Sequence, residues 1–149
     1  MPDEEPGDGR AQEAAGGGQV GIVLVSHSAA VAASVAELAT RLAGDGRTAP
    51  VAPAGGTSDG RLGTSADLIA AAATQVDRGA GVAVLADIGS AVLTVKTLLA
   101  EGDELPERTR LVDAPFVEGA VAAVVTASAG ADLDAVAAAA GEAYSYHKA

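Results

Sequence analysis

The sequence has no cysteine and very few aromatic residues. The absence of cysteine excludes disulfide bonds, thiolate metal sites and cysteine nucleophiles. One phenylalanine and two tyrosines are the only aromatic residues, although 49% of the 149 residues are hydrophobic. The core must therefore be built from Val, Leu, Ile and Ala. Side chains this small favour helices packed closely on a sheet, and the length suits one domain with a buried core.

Basic residues are also scarce. Nine Lys and Arg against 20 Asp and Glu give a formal net charge of -11. Nucleic-acid binding needs a basic surface and is not expected, and an acidic membrane surface would repel the chain. A basic protein partner and plain solubility both remain compatible with this charge. We find no signal-peptide pattern and no helix-like apolar run near the roughly 20 residues of a membrane span, so we expect a cytoplasmic protein.

The first 18 residues differ from the rest of the chain. "MPDEEPGDGRAQEAAGGG" holds five acids, five glycines and two prolines, with no large aliphatic residue after Met1. Such a segment cannot bury enough apolar surface to offset the entropy lost on ordering. We therefore predict a disordered acidic, glycine-rich tail over residues 1–18 and a single domain over residues 19–149.

Four segments of that domain have the character of strands. "VGIVLV" (20–25) and "GVAVLA" (81–86) are continuous apolar runs, which are typical of strands buried on both faces. Residues 48–52 predict a weaker strand, which Pro50 and Pro53 would confine to a sheet edge. "TRLVDA" (109–114) predicts a fourth strand.

Helical patterns separate these strands. The first helix should bury a stripe with helical spacing, formed by Val31, Val35, Leu38 and Leu42. The later helices start near residues that can cap a helix: Thr64 with Asp67 before the second, Ser90 before 91–101, and Asp132 before 133–143. A loop, "PFVEG", should precede a further helix over 118–128.

The alternation of strands and helices predicts the fold class. It is typical of an α/β domain with an open, mainly parallel sheet and helices on both faces. In a flavodoxin-like order, 2-1-3-4, strands 1 and 3 are neighbours, and ligands bind beyond their carboxyl ends. "SHS" follows strand 1 and "DIGS" follows strand 3. The fold therefore places His27 beside Asp87.

A histidine beside a carboxylate has a clear chemical capacity. The carboxylate accepts the N–H of one ring nitrogen and stabilises the cation, which leaves the other nitrogen free as a nucleophile or base. Backbone N–H groups at helix starts can hold an anionic group. From the residues alone, His27 is either such a group or a solvated residue of a turn. His147, three residues from the end, is a poor candidate.

Other site classes have no support in the sequence. The glycine-rich loop "GGTSDGRLG" lacks the lysine of a Walker motif and is not G-x-G-x-x-G. Its residues 56–60 have the spacing G-x-S-x-G, but no helix is predicted directly after that serine, as a serine elbow requires. The acids and histidines have no metal-ligand spacing. We therefore expect no metal and no cofactor on this chain.

Four stretches together resemble one known family. "GIVLVSHSAAVAASVAELA", "AGGTSDGRLGTSADLI", "VLADIGSAVLTVKTLL" and "TRLVDAPFVEGAVAAVVTASAGADLDAV" occur in order between residues 20 and 143. They resemble DhaM subunits of phosphoenolpyruvate (PEP)-dependent dihydroxyacetone kinases, which are related to mannose-type EIIA domains of the phosphotransferase system (PTS). The resemblance implies a parallel α/β fold, usually as a homodimer.

The resemblance also implies a function. His27 would accept phosphate from phosphohistidine on the carrier protein HPr and pass it to ADP held on DhaL, which works with DhaK. Asp87 would orient the His27 ring and leave Nε2 for the phosphoryl group. ADP, ATP and Mg would belong to DhaL. Candidate contacts to the phosphoryl group are Ser28, Thr57, Gly63, Thr64, Gly89 and Ser90.

Two alternatives remain open at this point. A mannose-type EIIA that feeds a sugar permease would share the fold and the histidine. A non-catalytic flavodoxin-like regulatory module could share the fold alone. Such a module would not need His27 or Asp87, and the presence of both in this chain counts against it.

Overall fold

A computed structural model of the chain describes residues 18–149. Its centre is a four-stranded parallel sheet with the order β2-β1-β3-β4. The strands are β1 (Gly21–Ser26), β2 (Val51–Gly55), β3 (Val82–Ala86) and β4 (Thr109–Leu111). The helices are α1 (Ala29–Leu42), α2 (Ala66–Val76), α3 (Gly89–Glu101), α4 (Phe116–Ser128) and α5 (Leu133–Glu142), followed by a short 3-10 helix (Ala143–Ser145). The predicted fold class and strand order are confirmed. Residues 1–17 of the predicted tail lie outside the described residues.

The two central strands are buried on both faces. Every residue of β1 and β3 is buried, as their continuous apolar sequences predict. Helices α1, α4 and α5 cover one face of the sheet, and α2 and α3 cover the other. This arrangement leaves the carboxyl ends of β1 and β3 as neighbours at one edge of the molecule. Within residues 18–149, no helix is long and apolar enough to span a bilayer.

Strand β2 lies at the sheet edge but starts later than predicted. It covers Val51–Gly55 rather than residues 48–52, and it includes Pro53. Proline lacks an N–H to donate, and Pro53 pairs only with Leu24 of β1 because its other side has no neighbouring strand. The edge position therefore tolerates the proline that shortened the predicted strand.

Helix α1 buries a different face from the one predicted. Its buried residues are Ala32, Val35, Ala36 and Ala39. Val31, Leu38 and Leu42 of the predicted stripe are exposed, so that prediction was wrong except at Val35. The alanines recur at the same helical spacing, and their small side chains let the helix axis approach the sheet. Side-chain size thus decided which face of α1 is buried, whereas hydrophobicity alone predicted the face that carries Leu38 and Leu42.

Three helix starts also differ from the predictions. Ser65, not Thr64, caps α2 by accepting a hydrogen bond from the Leu68 N–H. Helix α3 begins at Gly89, which places Ser90 inside the first turn instead of at the cap. The "PFVEG" segment (115–119) is the start of α4 and not a loop: Pro115 is the extended residue that leads into the helix, and the first turn begins at Phe116. The predicted Asp132 cap of α5 is confirmed.

Strand β4 is shorter than predicted. It covers Thr109–Leu111 rather than residues 109–114. Val112 still donates its N–H to the carbonyl of Val84, but the chain then turns towards α4. At that turn a Cβ on Gly119 would lie 2.7 Å from the Cβ of Ala114, so the absence of a side chain lets α4 pack against the strand end.

Candidate functional site

The ends of β1 and β3 bring His27 and Asp87 together. The Asp87 N–H donates to the carbonyl of Val25 at 3.0 Å, which extends the parallel pairing by one residue. Nδ1 of His27 then lies 3.0 Å from Oδ1 of Asp87. The two side chains meet as the predicted strand order requires, and neither is deeply buried.

The Asp87 carboxylate receives four hydrogen bonds. Oδ2 accepts from the His27 backbone N–H at 3.0 Å and from the Ser26 hydroxyl at 2.9 Å. Oδ1 accepts from the Ile88 N–H at 2.7 Å and from His27 Nδ1. An ionised carboxylate can only accept, so Nδ1 carries the proton and Nε2 keeps its lone pair. The ring nitrogen that faces away from Asp87 is therefore the nucleophilic one.

These contacts also set the charge of Asp87. Burial by itself would raise its pKa, but hydrogen bonds from the backbone of His27 and Ile88 and from the side chains of Ser26 and His27 together outweigh it. The net effect lowers the pKa of Asp87 below its ordinary value of 3.8. The carboxylate is thus ionised at neutral pH and available to stabilise a positively charged imidazole.

The hydroxyl of Ser90 lies against the other ring nitrogen. Ser90 Oγ is 2.5 Å from Nε2 of His27, and a lone pair on Nε2 accepts the hydroxyl proton. Ser90 is in the first turn of α3, where the N–H groups of Gly89 and Ser90 have no partner within the helix. The positive end of the helix dipole therefore points towards the nucleophilic nitrogen, which suits an anionic group bound there.

The other predicted phosphoryl contacts have structural partners in this state. Ser28 caps α1 by accepting from the Val31 N–H, and the Thr57 hydroxyl accepts from the Arg61 N–H in the glycine-rich loop. Gly63 donates its N–H to the carbonyl of His27 at 2.9 Å. Thr64 shares a hydrogen bond of 3.1 Å with Thr94 of α3. Among the predicted hydroxyls, the structure brings that of Ser90 to the His27 ring.

Two contributors were missed from the sequence. The sequence pattern places Ser26 after the first strand, but Ser26 is the last residue of β1 and its side chain is hydrogen-bonded to Asp87. Thr94 links the site to the loop, since it donates to the carbonyl of Ser90 at 2.9 Å and also contacts Thr64. The sequence did contain a sign of this role for Ser26, because it is a polar residue at the end of a buried strand. Thr94, an ordinary helix residue, offered none.

No three His, Asp or Glu side chains of the described part of the chain are close enough together to hold a metal ion. The chemistry that residues 18–149 present at this edge of the sheet is that of an oriented imidazole, a carboxylate and a helix N-terminus.

Comparison with known proteins places this site in a family. Residues 21–137 match EIIA-man, the PTS system fructose IIA component. The chain belongs to this EIIA-man family. The matched range contains His27, Asp87 and Ser90, so the site lies wholly within the family domain.

The curated relatives of this EIIA-man domain are DhaM subunits. The phosphoryl donor subunit DhaM of PEP-dependent dihydroxyacetone kinase 2 from Listeria innocua is 42% identical over 107 residues, which cover 71% of this chain and 84% of the relative. The DhaM subunit from Escherichia coli is 38% identical over 120 residues, which cover 78% of this chain and 25% of the relative. The chain thus spans a quarter of that longer protein. The resemblance to DhaM subunits stated from the motifs is confirmed.

Solved structures agree with the fold. A crystal structure of a protein of unknown function has a TM-score of 0.72 and 32% identity, and the match covers 84% of this chain and 95% of that one. A sigma-54 interaction domain protein from Enterococcus faecalis has a TM-score of 0.59 at 19% identity, which shows a shared fold alone.

The lowered pKa of Asp87 predicts a pH dependence of stability. Its contribution to the free energy of unfolding should be fully present above pH 3.8 and lost as the pH falls through the lower, folded-state pKa. The stability difference between wild type and Asp87→Asn should therefore narrow as the pH falls below 3.8. Urea unfolding at each pH measures this difference, and other carboxyl groups cancel in it. An NMR titration of the Asp87 carboxyl carbon with a midpoint at or above 3.8 would contradict the prediction.

Proposed function

We propose that this protein is the phosphoryl donor subunit of a PEP-dependent dihydroxyacetone kinase, with His27 as the residue that carries the phosphate. HPr would supply the phosphoryl group, and ADP bound on DhaL would receive it, with DhaK as the partner of DhaL. One observation carries the proposal. His27 is bonded to Asp87 through Nδ1 and turns Nε2 towards the N-terminus of α3. The names of the DhaM relatives support the choice of this kinase.

In the first transfer one P–N bond replaces another, and in the second a P–O bond replaces a P–N bond. The Nε2 lone pair of His27 attacks the phosphorus of phosphohistidine on HPr, protonated on its other ring nitrogen, and the old P–N bond returns its electron pair so that HPr leaves as a neutral imidazole. The Nδ1 proton stays in place, and Asp87 offsets the charge that develops on the ring. A terminal oxygen of ADP then attacks the phosphorus, and Nε2 recovers its lone pair. This chain returns unchanged, as a phosphotransferase subunit with a phosphohistidine intermediate.

The first turn of α3 would hold the transferred group. A phosphoryl group on Nε2 would displace the Ser90 hydroxyl from the ring, and that hydroxyl and the first-turn N–H groups could then donate to the phosphoryl oxygens. Ser90 and Gly89 are the predicted contacts best supported by the geometry. Ser28, Thr57, Gly63 and Thr64 would contribute by holding the loop and α1 in place around them.

The surroundings of His27 suit protein partners. Leu62 and Ile88 are large apolar residues with 78% and 65% of their surface exposed. Ile88 directly follows Asp87, and Leu62 precedes the glycine that is bonded to the His27 carbonyl. Exposed apolar side chains beside a reactive group are typical of a docking surface. The same surface would serve the donor and the acceptor in turn, since both must reach Nε2.

Further parts of the proposal are expectations from the sequence. The resemblance implies a homodimer and places ADP, ATP and Mg on the DhaL partner, and the sequence motifs led us to expect a cytoplasmic location and no cofactor on this chain. The mannose-type EIIA that feeds a sugar permease remains the alternative to test, since it would use the same histidine chemistry. A regulatory module without transfer chemistry is disfavoured because His27, Asp87 and Ser90 are in bonding contact.

Phosphorylation should occur on His27. After incubation with PEP, enzyme I and HPr, we expect one acid-labile phosphate per chain, because phosphohistidine hydrolyses in acid. His27→Ala should abolish the labelling, whereas His147→Ala should retain it as a matched control, since His147 is exposed in the last three residues. Intact-mass spectrometry measures the phosphate carried by each variant. Labelling that survives His27→Ala would refute the site.

The acceptor should distinguish the kinase from the permease alternative. The phosphorylated protein, freed of HPr and PEP, should convert ADP on DhaL to ATP and lose its own phosphate stoichiometrically. Quantitation of ATP with luciferase and of phosphoprotein by mass follows both sides of the transfer. Transfer to a sugar-permease domain, with none to ADP-loaded DhaL, would favour the alternative.

The apolar rim should contribute to partner binding. Leu62→Ser with Ile88→Ser should raise the KM for phosphorylated HPr about tenfold, which corresponds to ~1.4 kcal/mol of lost contact, with kcat little changed. Leu42→Ser is the control, because Leu42 is similarly exposed at 59% but lies at the far end of the 14-residue helix α1, about 20 Å away. Equal effects of the rim and control variants on KM would rule out docking at the rim.

A further inference from the structure

Ser26 stands out as a buried polar side chain. Only 1% of its surface is exposed, and within residues 18–149 it is the one polar or charged residue that is buried. A hydroxyl buried at the end of a strand costs free energy unless it is hydrogen-bonded. Both of its hydrogen bonds lie in the His27 site.

The geometry determines where the Ser26 proton goes. The backbone N–H of Ser28 points to Ser26 Oγ at 3.0 Å, and an N–H can only donate. The single hydroxyl hydrogen is therefore left for Asp87 Oδ2, at 2.9 Å. Ser28 thus donates to Ser26, and Ser26 donates to Asp87.

This chain limits the movement of the carboxylate. Oδ2 is held by the Ser26 hydroxyl and by the His27 backbone, and Oδ1 is held by the Ile88 N–H. Three donors whose positions are set by the fold thus locate both oxygens. The other lone pair of Oδ1 faces His27 Nδ1. Because a carboxylate only accepts hydrogen bonds, this contact needs a hydrogen on that nitrogen.

We infer that Ser26 is a positioning residue that, through Asp87, holds the His27 ring in the tautomer with hydrogen on Nδ1. Selection of the tautomer on the Asp87 side of the ring matters because Ser90 does not select it. A hydroxyl 2.5 Å from Nε2 can donate to a lone pair or accept from an N–H, so it fits either tautomer. The tautomer is decided on the Asp87 side of the ring.

The turn that carries His27 has backbone anchors besides the Ser26 hydroxyl, which accepts the Ser28 N–H. Gly56 donates its N–H to the carbonyl of Ser26 at 3.1 Å, and Gly63 donates to the carbonyl of His27 at 2.9 Å. β1 is also paired on both sides. Ser26→Ala should therefore keep the backbone in place while Asp87 loses one of its two Oδ2 donors.

The tautomer can be measured without any partner protein. In ¹⁵N-histidine-labelled protein above the titration range of imidazole, long-range ¹H–¹⁵N spectra distinguish a protonated Nδ1 from a protonated Nε2. Wild type should show His27 with hydrogen on Nδ1. Ser26→Ala should increase the Nε2–H form, and Ser26→Thr, which keeps the hydroxyl, should restore the wild-type pattern.

A control separates this effect from the loss of a serine hydroxyl that accepts a backbone N–H. Ser128 Oγ, which is partly buried, accepts the Ala49 N–H at 2.9 Å, far from His27 in the sequence and at the end of α4. Ser128→Ala removes a bond like the one that Ser26 accepts from Ser28, and it should leave the His27 tautomer unchanged. If Ser26→Ala does not fold, Ser26→Cys provides the comparison, since a thiol is similar in shape but a weak donor. A wild-type tautomer pattern in the folded Ala or Cys variant would overturn the inference.

The consequence for phosphoryl transfer rests on the proposed function. Ser26→Ala should slow phosphorylation by HPr about tenfold, a typical cost of losing a residue that orients a reactive group, through kcat and not KM. Ser26→Thr should restore the rate. If wild type accepts no phosphate, the proposed function fails while the tautomer measurement still tests Ser26. Equal rates for wild type and folded Ser26→Ala would overturn the positioning role.

Discussion

The hydrogen bond between His27 Nδ1 and Asp87 Oδ1 is the contact on which the site depends, and it exists because two parallel strands are in register. Val25 of β1 pairs with Ala86 of β3, and the residues after them continue that pairing. A slip of one residue would turn each side chain to the opposite face of the sheet. The buried aliphatic residues of β1 and β3 oppose such a slip, so the packing of the core maintains the geometry of the site.

The helices complete the site from the same edge. Helix α1 begins two residues after His27, and α3 begins two residues after Asp87, because parallel strands end at this edge and the chain must turn back there. The formal net charge of -11 is unfavourable to a phosphoryl group at long range. Close to His27, the amides at the start of α3 that have no partner within the helix favour an anionic group, and this effect is confined to the first turn. The proposed specificity for a transferred phosphate is local in origin.

Much of the fold follows from the sequence pattern. The continuous apolar runs of β1 and β3 and the alternation of strands and helices predicted a parallel sheet. The flavodoxin-like order chosen for that sheet, which the structure confirms, placed His27 near Asp87. The buried face of α1 was not predicted, because in a helix rich in alanine two stripes have the same periodicity. Close approach to the sheet, a property of the packed layers, selected the stripe with the smaller side chains.

The amino-acid sequence by itself determined the class of fold, the absence of thiol chemistry and the two residues whose adjacency defines the site. Only the tertiary structure decided which hydroxyls take part. Ser28, Thr57 and Thr64 looked as suitable as Ser90, but hydrogen bonds to neighbouring turns and, for Thr64, to Thr94 of α3 already occupy them. Ser90 reaches the ring because α3 starts one residue before it, and Ser26 reaches Asp87 because it is the last buried residue of β1. Such contacts depend on where each backbone segment ends in space, to within the length of a hydrogen bond, and a pattern of residue types does not contain that information.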